Sequence, residues 1–413
     1  MMKLDDAILE IKNIDKPIRV IAEQSVDGVI SCWLLNKLLA KLGKRFVVSF
    51  CGKKFLKNSL KEDYSYFILL FSDDLEGNEK KIFRFGLTNG EVNPGSFDGS
   101  FDIGGLQYLS EVVYLYCEKF FDFKEYAYIL LANYCGCKLG DFGSRILKEC
   151  AENKSITVHN CVNMFYNPTR ELSKCLAYSF DPCLKSIYGD EARARAFLDK
   201  LRIDYDKKII ELDSEETGRL VAEVTLDMVG VEEGDLYGEA YITKDGLDVF
   251  WIYFVIKTCL VYDKPGLALG FLHKNKRDIA KSSELTDEHA SELIKAIKWV
   301  IENKASDGDY AAFNIEEEFR EEIISELVKL LVKRRVFDTG ILMIASYSLA
   351  NEPVIYGKLP RSLINHFLEG LKSYGTYNFD GSGYFSGKIK DEKEFMEKAE
   401  FLFKNKALEE VIV

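Results

Sequence analysis

Histidine is scarce in this chain of 413 residues, and its cysteines all lie before residue 260. There are only four histidines, and the ten cysteines follow no regular spacing. One pair, Cys135 and Cys137, has neither a second pair nor a nearby histidine that would complete a tetrahedral zinc set. Several other cysteines lie in apolar runs, which is typical of buried, reduced thiols. The sequence therefore argues against both a zinc site and a disulfide framework.

Long apolar segments are also absent. The most apolar run, Val249 to Ile256, is far shorter than the roughly 20 residues that a membrane-spanning helix needs. The first ten residues, MMKLDDAILE, are charged and lack the apolar core of a signal peptide. We therefore expect a cytoplasmic protein that has no membrane partner.

Positive charge is in the minority, since 55 Lys and Arg face 67 Asp and Glu. The resulting net charge of −12 makes the surface as a whole repel nucleic acid. Binding of a nucleic-acid strand would need a local basic patch. The candidate clusters are Lys53, Lys54, Lys57 and Lys61, then Lys274, Lys276 and Arg277, then Lys333, Arg334 and Arg335. Such clusters are more often solvated faces than binding sites.

Strands alternate with helices along the first half of the chain. The stretch VIAEQSVDGVISCWLLNKLLAKLGKRF, residues 20–46, reads as a strand, a turn at Asp27-Gly28, an amphipathic helix and the start of another strand. The alternation continues with strands at 45–50, 66–71 and 80–85, and with helices at about 104–119, 124–134 and 143–152. This pattern predicts βαβ units on a parallel sheet, and thus an α/β fold.

The second half of the chain changes in character. Residues 185–235 are polar and helical in pattern, which is typical of a connector. A strand-rich region is then predicted to begin at 238–261, followed by long helices at about 285–303 and 315–334 and an apolar strand at 340–349. We therefore predict two α/β domains, 1–184 and 236–413, that are joined by the helical connector.

The turn after the first strand is a natural place for chemistry, because α/β proteins usually place their sites at the carboxyl ends of strands. It offers two carboxylates, Glu23 and Asp27, and Gln24 and Ser25 are among the residues between them. Such a pair could serve as acid and base or as metal ligands. The structural alternative is that Asp27 is the N-cap of the helix that follows, and we favour that interpretation.

The order of the motifs resembles the DHH phosphoesterase superfamily, and within it the archaeal RecJ-like and Cdc45-like proteins. The first turn is similar to a strand that ends in His-x-Asp-x-Asp-Gly. The segment YFILLFSDDLEG is similar to the second motif, with Asp73 at the position of its aspartate. The further similar segments are 93–118, 176–204, 264–271 and 373–389. The resemblance implies a DHH-type domain, a helical connector and a smaller DHHA1-like domain.

The sequence departs from the family pattern at the positions of the metal ligands. The family's enzymes hold two metal ions, usually manganese, which activate a water and clamp the phosphodiester. Here Glu23 stands at the family's histidine and Ser25 at its first aspartate, while Asp27 is kept. The DHH triplet is missing after the strand at 80–85, and the fourth motif reads ANYCGCKL. Ser382 stands at the histidine of the Gly-Gly-Gly-His motif, which binds nucleic acid in the family.

Two functions are compatible with this pattern. The first is a non-catalytic replisome component without a cofactor, for which the resemblance implies GINS, and through it the MCM helicase, as partners. Such a protein could still hold single-stranded DNA. Its vestigial motif positions are Glu23, Ser25, Asp27, Gly28 and Asp73. The alternative is an active divergent phosphoesterase or 5′-to-3′ single-strand DNA exonuclease, with the carboxylates of these positions around one manganese or magnesium ion.

Overall fold

The structure is a computed structural model. It describes residues 11, 13–52, 66–70, 81–85, 106–135, 139–162, 164, 168–228, 236–303, 310–315, 319–334, 341–348, 352–380 and 382–410, with the backbone alone at 66–70, 81–85, 310 and 403–410. The chain divides into two compact units. The first is Met1–His159 with Glu239–Thr286, and the second is Asn160–Gly238 with Asp287–Val413. The domain boundaries after residues 184 and 235 stay a prediction.

The first unit contains a sheet of parallel strands. Its strands are β1 (Ile18–Glu23), β2 (Phe46–Cys51), β3 (Tyr66–Leu70) and β4 (Lys81–Phe85). They lie in the order β2-β1-β3-β4, and every pairing among them is parallel. The parallel sheet predicted from the alternating pattern is thereby confirmed. The inner strand β1 buries Val20, Ile21 and Ala22 completely.

Helix α1 (Val26–Lys41) connects β1 to β2. Its N-cap is Ser25, which has an extended backbone and whose Oγ accepts a hydrogen bond from the Gly28 N–H at 3.0 Å. The prediction that Asp27 is the N-cap is therefore wrong, because the helix begins before it and places it in the first turn. At the other end, Gly43 follows the C-cap with φ of +68°, the left-handed conformation that favours glycine.

The remaining helices of the first unit come after this sheet along the chain. They are α2 (Leu109–Glu118), a 3₁₀ helix (Lys124–Tyr134), α3 (Asp141–Glu152), α7 (Val249–Val261) and α8 (Pro265–Leu272). Strands β5 (Ile156–Val162) and β6 (Tyr237–Thr243) form a two-stranded sheet. Helix α9 (Lys276–Glu302) begins in the first unit and continues into the second.

Helix α7 corrects the prediction of a strand-rich region at 238–261. Only β6 in that region is a strand, and the apolar run after it is helical. Asp248 caps α7 by accepting a hydrogen bond from the Trp251 N–H at 3.0 Å. A continuous apolar run has no periodicity that separates a buried strand from a buried helix, which is why the pattern failed here.

The second unit combines helices with a mixed sheet. Its helices are α4 (Leu172–Tyr178), α5 (Glu191–Leu201), α6 (Ser214–Asp227), α10 (Glu321–Lys333), α11 (Ile364–Leu371) and α12 (Glu392–Glu410). Its strands are β7 (Tyr310–Asn314), β8 (Ile341–Tyr347), β9 (Pro353–Lys358), β10 (Gly375–Phe379) and β11 (Tyr384–Ile389). Their order is β10-β11-β9-β8-β7, with only β7 and β8 parallel. An aromatic core of Phe367, Phe385 and Phe395 packs beneath this sheet.

All nine cysteines within the described residues are free thiols, as the sequence predicted. In the part of the chain that the structure describes, no helix is both long and apolar enough to cross a bilayer.

Candidate functional site

The turn between β1 and α1 is tight. A Cβ atom on Gly28 would lie 2.1 Å from the carbonyl oxygen of Glu23, so only glycine allows the helix to start this close to the strand. The turn follows β1, which has β2 on one side and β3 on the other. Ligands of open α/β sheets bind at the carboxyl end of the strands where the connections diverge in this way.

Asp27 directs its carboxylate away from its own helix and towards α2. Its Oδ2 accepts a hydrogen bond from the Leu109 N–H at 2.7 Å, and its Oδ1 accepts one from the Ser110 N–H at 2.9 Å. The Asn133 side-chain amide donates a third hydrogen bond to Oδ1 at 3.2 Å. Asp27 therefore acts as a cap for a helix that begins 82 residues later in the chain.

The electrostatics of this carboxyl are set by opposing effects. Burial raises the pKa of Asp27, and the negative charge of Glu23 adds to the increase. The hydrogen bonds from Ser110 and Leu109 act in the opposite direction, because they favour the ionised form. The N-terminal end of α2 also carries the positive end of the helix dipole, which attracts a carboxylate.

A second carboxylate, Glu111, belongs to the same helix terminus and was missed by the sequence analysis. It is completely buried, and its Oε2 accepts hydrogen bonds from the Gln107 N–H at 2.7 Å and the Tyr108 N–H at 3.2 Å. The Tyr134 hydroxyl donates to its other oxygen. Burial raises the pKa of Glu111. A Glu three residues after a helix start is a capping signal, and that spacing could have identified its role.

These described residues do not fit a bridged pair of metal ions. Such a site needs oxygen atoms whose lone pairs point at the metals. Both Asp27 oxygens already accept N–H groups, and Ser25 Oγ accepts the Gly28 N–H. Within the described ranges, no three His, Cys, Asp or Glu side chains come together as a possible metal site. Asp73 and the segment after β4 lie outside those ranges.

The other predicted motif position, Ser382, lies in the hairpin between β10 and β11. Its backbone N–H and its hydroxyl both donate to Asp380 Oδ1, at 2.8 and 2.7 Å. The same oxygen accepts the Tyr384 N–H at 3.0 Å, and the Ser382 carbonyl oxygen accepts a hydrogen bond from Lys358. The polar groups of this turn are thus engaged in holding the hairpin together.

The parallel sheet with its strand-end turn, together with the mixed second sheet, makes up an α/β fold, as the sequence predicted. The structure is similar to Cdc45 from Entamoeba histolytica, with a TM-score of 0.61 and 10% identity over 97% of this chain and 98% of that one. It is also similar to a manganese-bound RecJ exonuclease, with a TM-score of 0.57 and 11% identity over 98% and 95% of the two chains.

A third similar structure is RecJ from Thermus thermophilus in complex with manganese, with a TM-score of 0.53 and 11% identity. The match covers 97% of this chain but only 52% of that RecJ, so the chain spans about half of its length. Neither a family model nor a curated protein matches the sequence. At these identities the comparisons show the fold, which the chain shares with Cdc45 and RecJ.

Proposed function

We propose that the chain is a non-catalytic, Cdc45-like component of a DNA replication complex. The observation that carries this proposal is the state of Asp27, the carboxylate that the sequence keeps at the turn similar to His-x-Asp-x-Asp-Gly. Both of its oxygens accept N–H groups from α2, and Asn133 adds a third donor. Glu23 and Ser25, which stand at the positions of two family ligands, add no imidazole.

The physical reason is competition for the same lone pairs. Three of the about four lone-pair sites of the Asp27 carboxylate accept N–H groups, so a pair of metal ions bridged by Asp27 would have to displace at least one buried donor. The positive end of α2 and the amide of Asn133 already supply the partial positive charge that a metal would otherwise provide. Asp27 therefore stabilises the packing of α1 against α2 instead of positioning a metal-bound water.

The proposed partner is the GINS complex, and through it the MCM helicase. The sequence resemblance to the replication members of the superfamily suggests this assembly. The structural similarity, which spans 98% of a Cdc45 chain, supports a Cdc45-like protein. Under this proposal the fold provides binding surfaces, and the positions that match the family's metal ligands take no part in chemistry.

A nuclease assay tests the catalytic half of the proposal. The purified protein is incubated with 5′-labelled single-stranded DNA and manganese or magnesium, beside an active RecJ exonuclease as a positive control. We expect no cleavage above the buffer level. Metal-dependent cleavage that disappears in a folded Asp27→Asn variant would contradict the proposal and favour the divergent exonuclease instead.

Co-purification tests the partner half independently. The protein is mixed with GINS from the same organism and separated by size-exclusion chromatography. We expect a shared peak at an elution volume smaller than that of either component. Separate peaks for the two components, under conditions in which both are folded, would reject GINS as the partner while leaving the nuclease result unaffected.

A further inference from the structure

The C-terminal half of α1 carries a basic surface that the proposed function does not use. Lys37 and Lys41 lie one turn apart on this helix, and Lys274 follows the end of α8. Two aromatic residues, Phe121 and Tyr126, lie beside them. We call these five residues the lysine–aromatic surface. All of them belong to the first unit.

Aromatic rings hold the two α1 ammonium groups in place. Lys41 Nζ lies 5.3 Å from the ring centroid of Tyr126 and 5.7 Å from that of Phe121. Lys37 Nζ lies 5.7 Å from the Tyr126 centroid and 5.3 Å from that of Trp33. These are cation–π distances, so the rings restrict the rotamers of both lysines. Binding of a ligand to these lysines therefore costs less side-chain entropy than binding to freely rotating lysines would.

Lys274 is brought to the same surface by a buried hydrogen bond. The Trp33 indole N–H donates to the Leu272 carbonyl oxygen at 3.0 Å, which ties the end of α8 to α1. The positive groups are close enough to influence each other. Burial, followed by the charge of Lys274, lowers the pKa of Lys37, and burial and the charge of Lys37 lower the pKa of His273. Lys276 and Arg277, at the start of α9, extend the exposed basic region.

We propose that the lysine–aromatic surface is a docking site for an acidic segment of a protein partner. Three ammonium groups face two neighbouring carboxylates, Glu125 at 3.8 Å from Lys41 and Asp245 paired with Lys274. The surface is therefore locally positive on a chain whose net charge is −12. Phe121, which is 38% exposed, provides an apolar contact beside the cations.

The details favour a peptide over a nucleic-acid strand. Single-stranded nucleic acid binds by stacking its bases on open aromatic faces along a basic groove. Here the lysine ammonium groups already lie over the rings of Tyr126 and Phe121, so these ring faces are not open to a base. An acidic peptide with apolar side chains can place its carboxylates on the lysines and an apolar residue on Phe121.

Fluorescence anisotropy on the full-length protein tests this inference. The probe is a fluorescein-labelled peptide in which blocks of Glu and Asp flank leucines, and labelled oligothymidine is the second probe. We expect the peptide to bind and its affinity to fall with added salt. In the double variant Lys41→Glu, Lys274→Glu we expect an affinity that is weaker by about tenfold or more.

The matched control is the double variant Lys148→Glu, Lys200→Glu, which changes the net charge equally at two exposed lysines outside this surface. We expect its affinity to stay within about twofold of the unmodified protein. The milder pair Lys41→Gln, Lys274→Gln serves if the charge reversal impairs folding, and we expect a smaller loss in the same direction. Equal losses in the test and control variants, no peptide binding, or preferred binding of oligothymidine would each overturn the inference. None of these results depends on GINS or on nuclease activity.

Discussion

The two ends of helix α1 use their charged side chains in opposite ways. At the first turn, Asp27 points inward and accepts three N–H groups from other elements of the first unit. At the last turns, the ammonium groups of Lys37 and Lys41 lie near the rings of Tyr126 and Phe121, respectively. Both placements agree with the helix dipole, which favours anions at the N-terminus and cations at the C-terminus. The charge of Asp27 therefore caps a second helix, whereas the charges of Lys37 and Lys41 belong to the proposed docking surface.

We expect the largest loss of stability when the carboxylate of Asp27 is removed. Asp27→Ala leaves the N–H groups of Leu109 and Ser110 without their acceptor, and we expect the free energy of unfolding to fall by about 3–4 kcal/mol. Asp27→Asn should cost less, because its carbonyl oxygen can still accept one of these hydrogen bonds. Urea denaturation of both variants measures the difference. A loss below that of Lys41→Gln would show that Asp27 does not maintain the fold.

Asp248 tests whether a buried capping carboxylate weakens the fold when it ionises. Burial raises its pKa to about 6, against the opposing hydrogen bonds from backbone N–H groups. The folded protein therefore keeps the proton at pH values where the unfolded chain has lost it. We expect the free energy of unfolding to decrease by up to about 3 kcal/mol as pH rises through the interval between the two pKa values.

Unfolding of the unmodified protein and of Asp248→Asn, measured by urea denaturation from pH 4 to pH 7, checks this expectation. The substitution removes the titrating group and keeps an acceptor for the N-terminus of α7. The variant should show a flatter dependence of stability on pH than the unmodified protein. Identical slopes would mean that the Asp248 carboxyl does not titrate in this interval.

Ser25 contributes a smaller, local effect at the same turn as Asp27. Ser25→Ala removes the acceptor for the Gly28 N–H, and we expect a loss of about 1 kcal/mol in the free energy of unfolding. Ser25→Thr retains the hydroxyl and should lie close to the unmodified protein. If Ser25→Ala costs no more than Ser25→Thr, the hydrogen bond to Gly28 contributes little to stability.

We expect the smallest change in stability from a substitution at the C-terminal end of α1. Lys41→Gln removes a cation over aromatic rings and an ion pair with Glu125, whose carboxylate is exposed. We expect a loss of about 0.5 kcal/mol, as for other surface contacts of this kind. Thermal unfolding followed by circular dichroism checks it. A loss as large as that of Asp27→Ala would remove the contrast between the two ends.

The sequence predicted the parallel sheet correctly because strands alternate with helices along the first half of the chain. It located the helix after β1 but not its N-cap, since Ser25 and Asp27 are both favourable capping residues and stand only two positions apart. It could not reveal that Leu109 and Ser110 are the donors to Asp27, because no local spacing encodes a contact across 82 residues. The helix α7 was missed for a different reason, the absence of periodicity in an apolar run.

The link between Asp27 and α2 also bears on the order in which the chain folds. A helix that is capped by its own neighbouring residues can form its first turn as soon as the local chain is available. The first turn of α2 also receives a cap from a residue 82 positions away, so the Leu109 and Ser110 N–H groups find this acceptor only when the two segments have met. Contacts between residues so distant in sequence form slowly, because the chain between their ends must first be brought together. We therefore expect the start of α2 to become ordered late, after β1 and α1 have assembled.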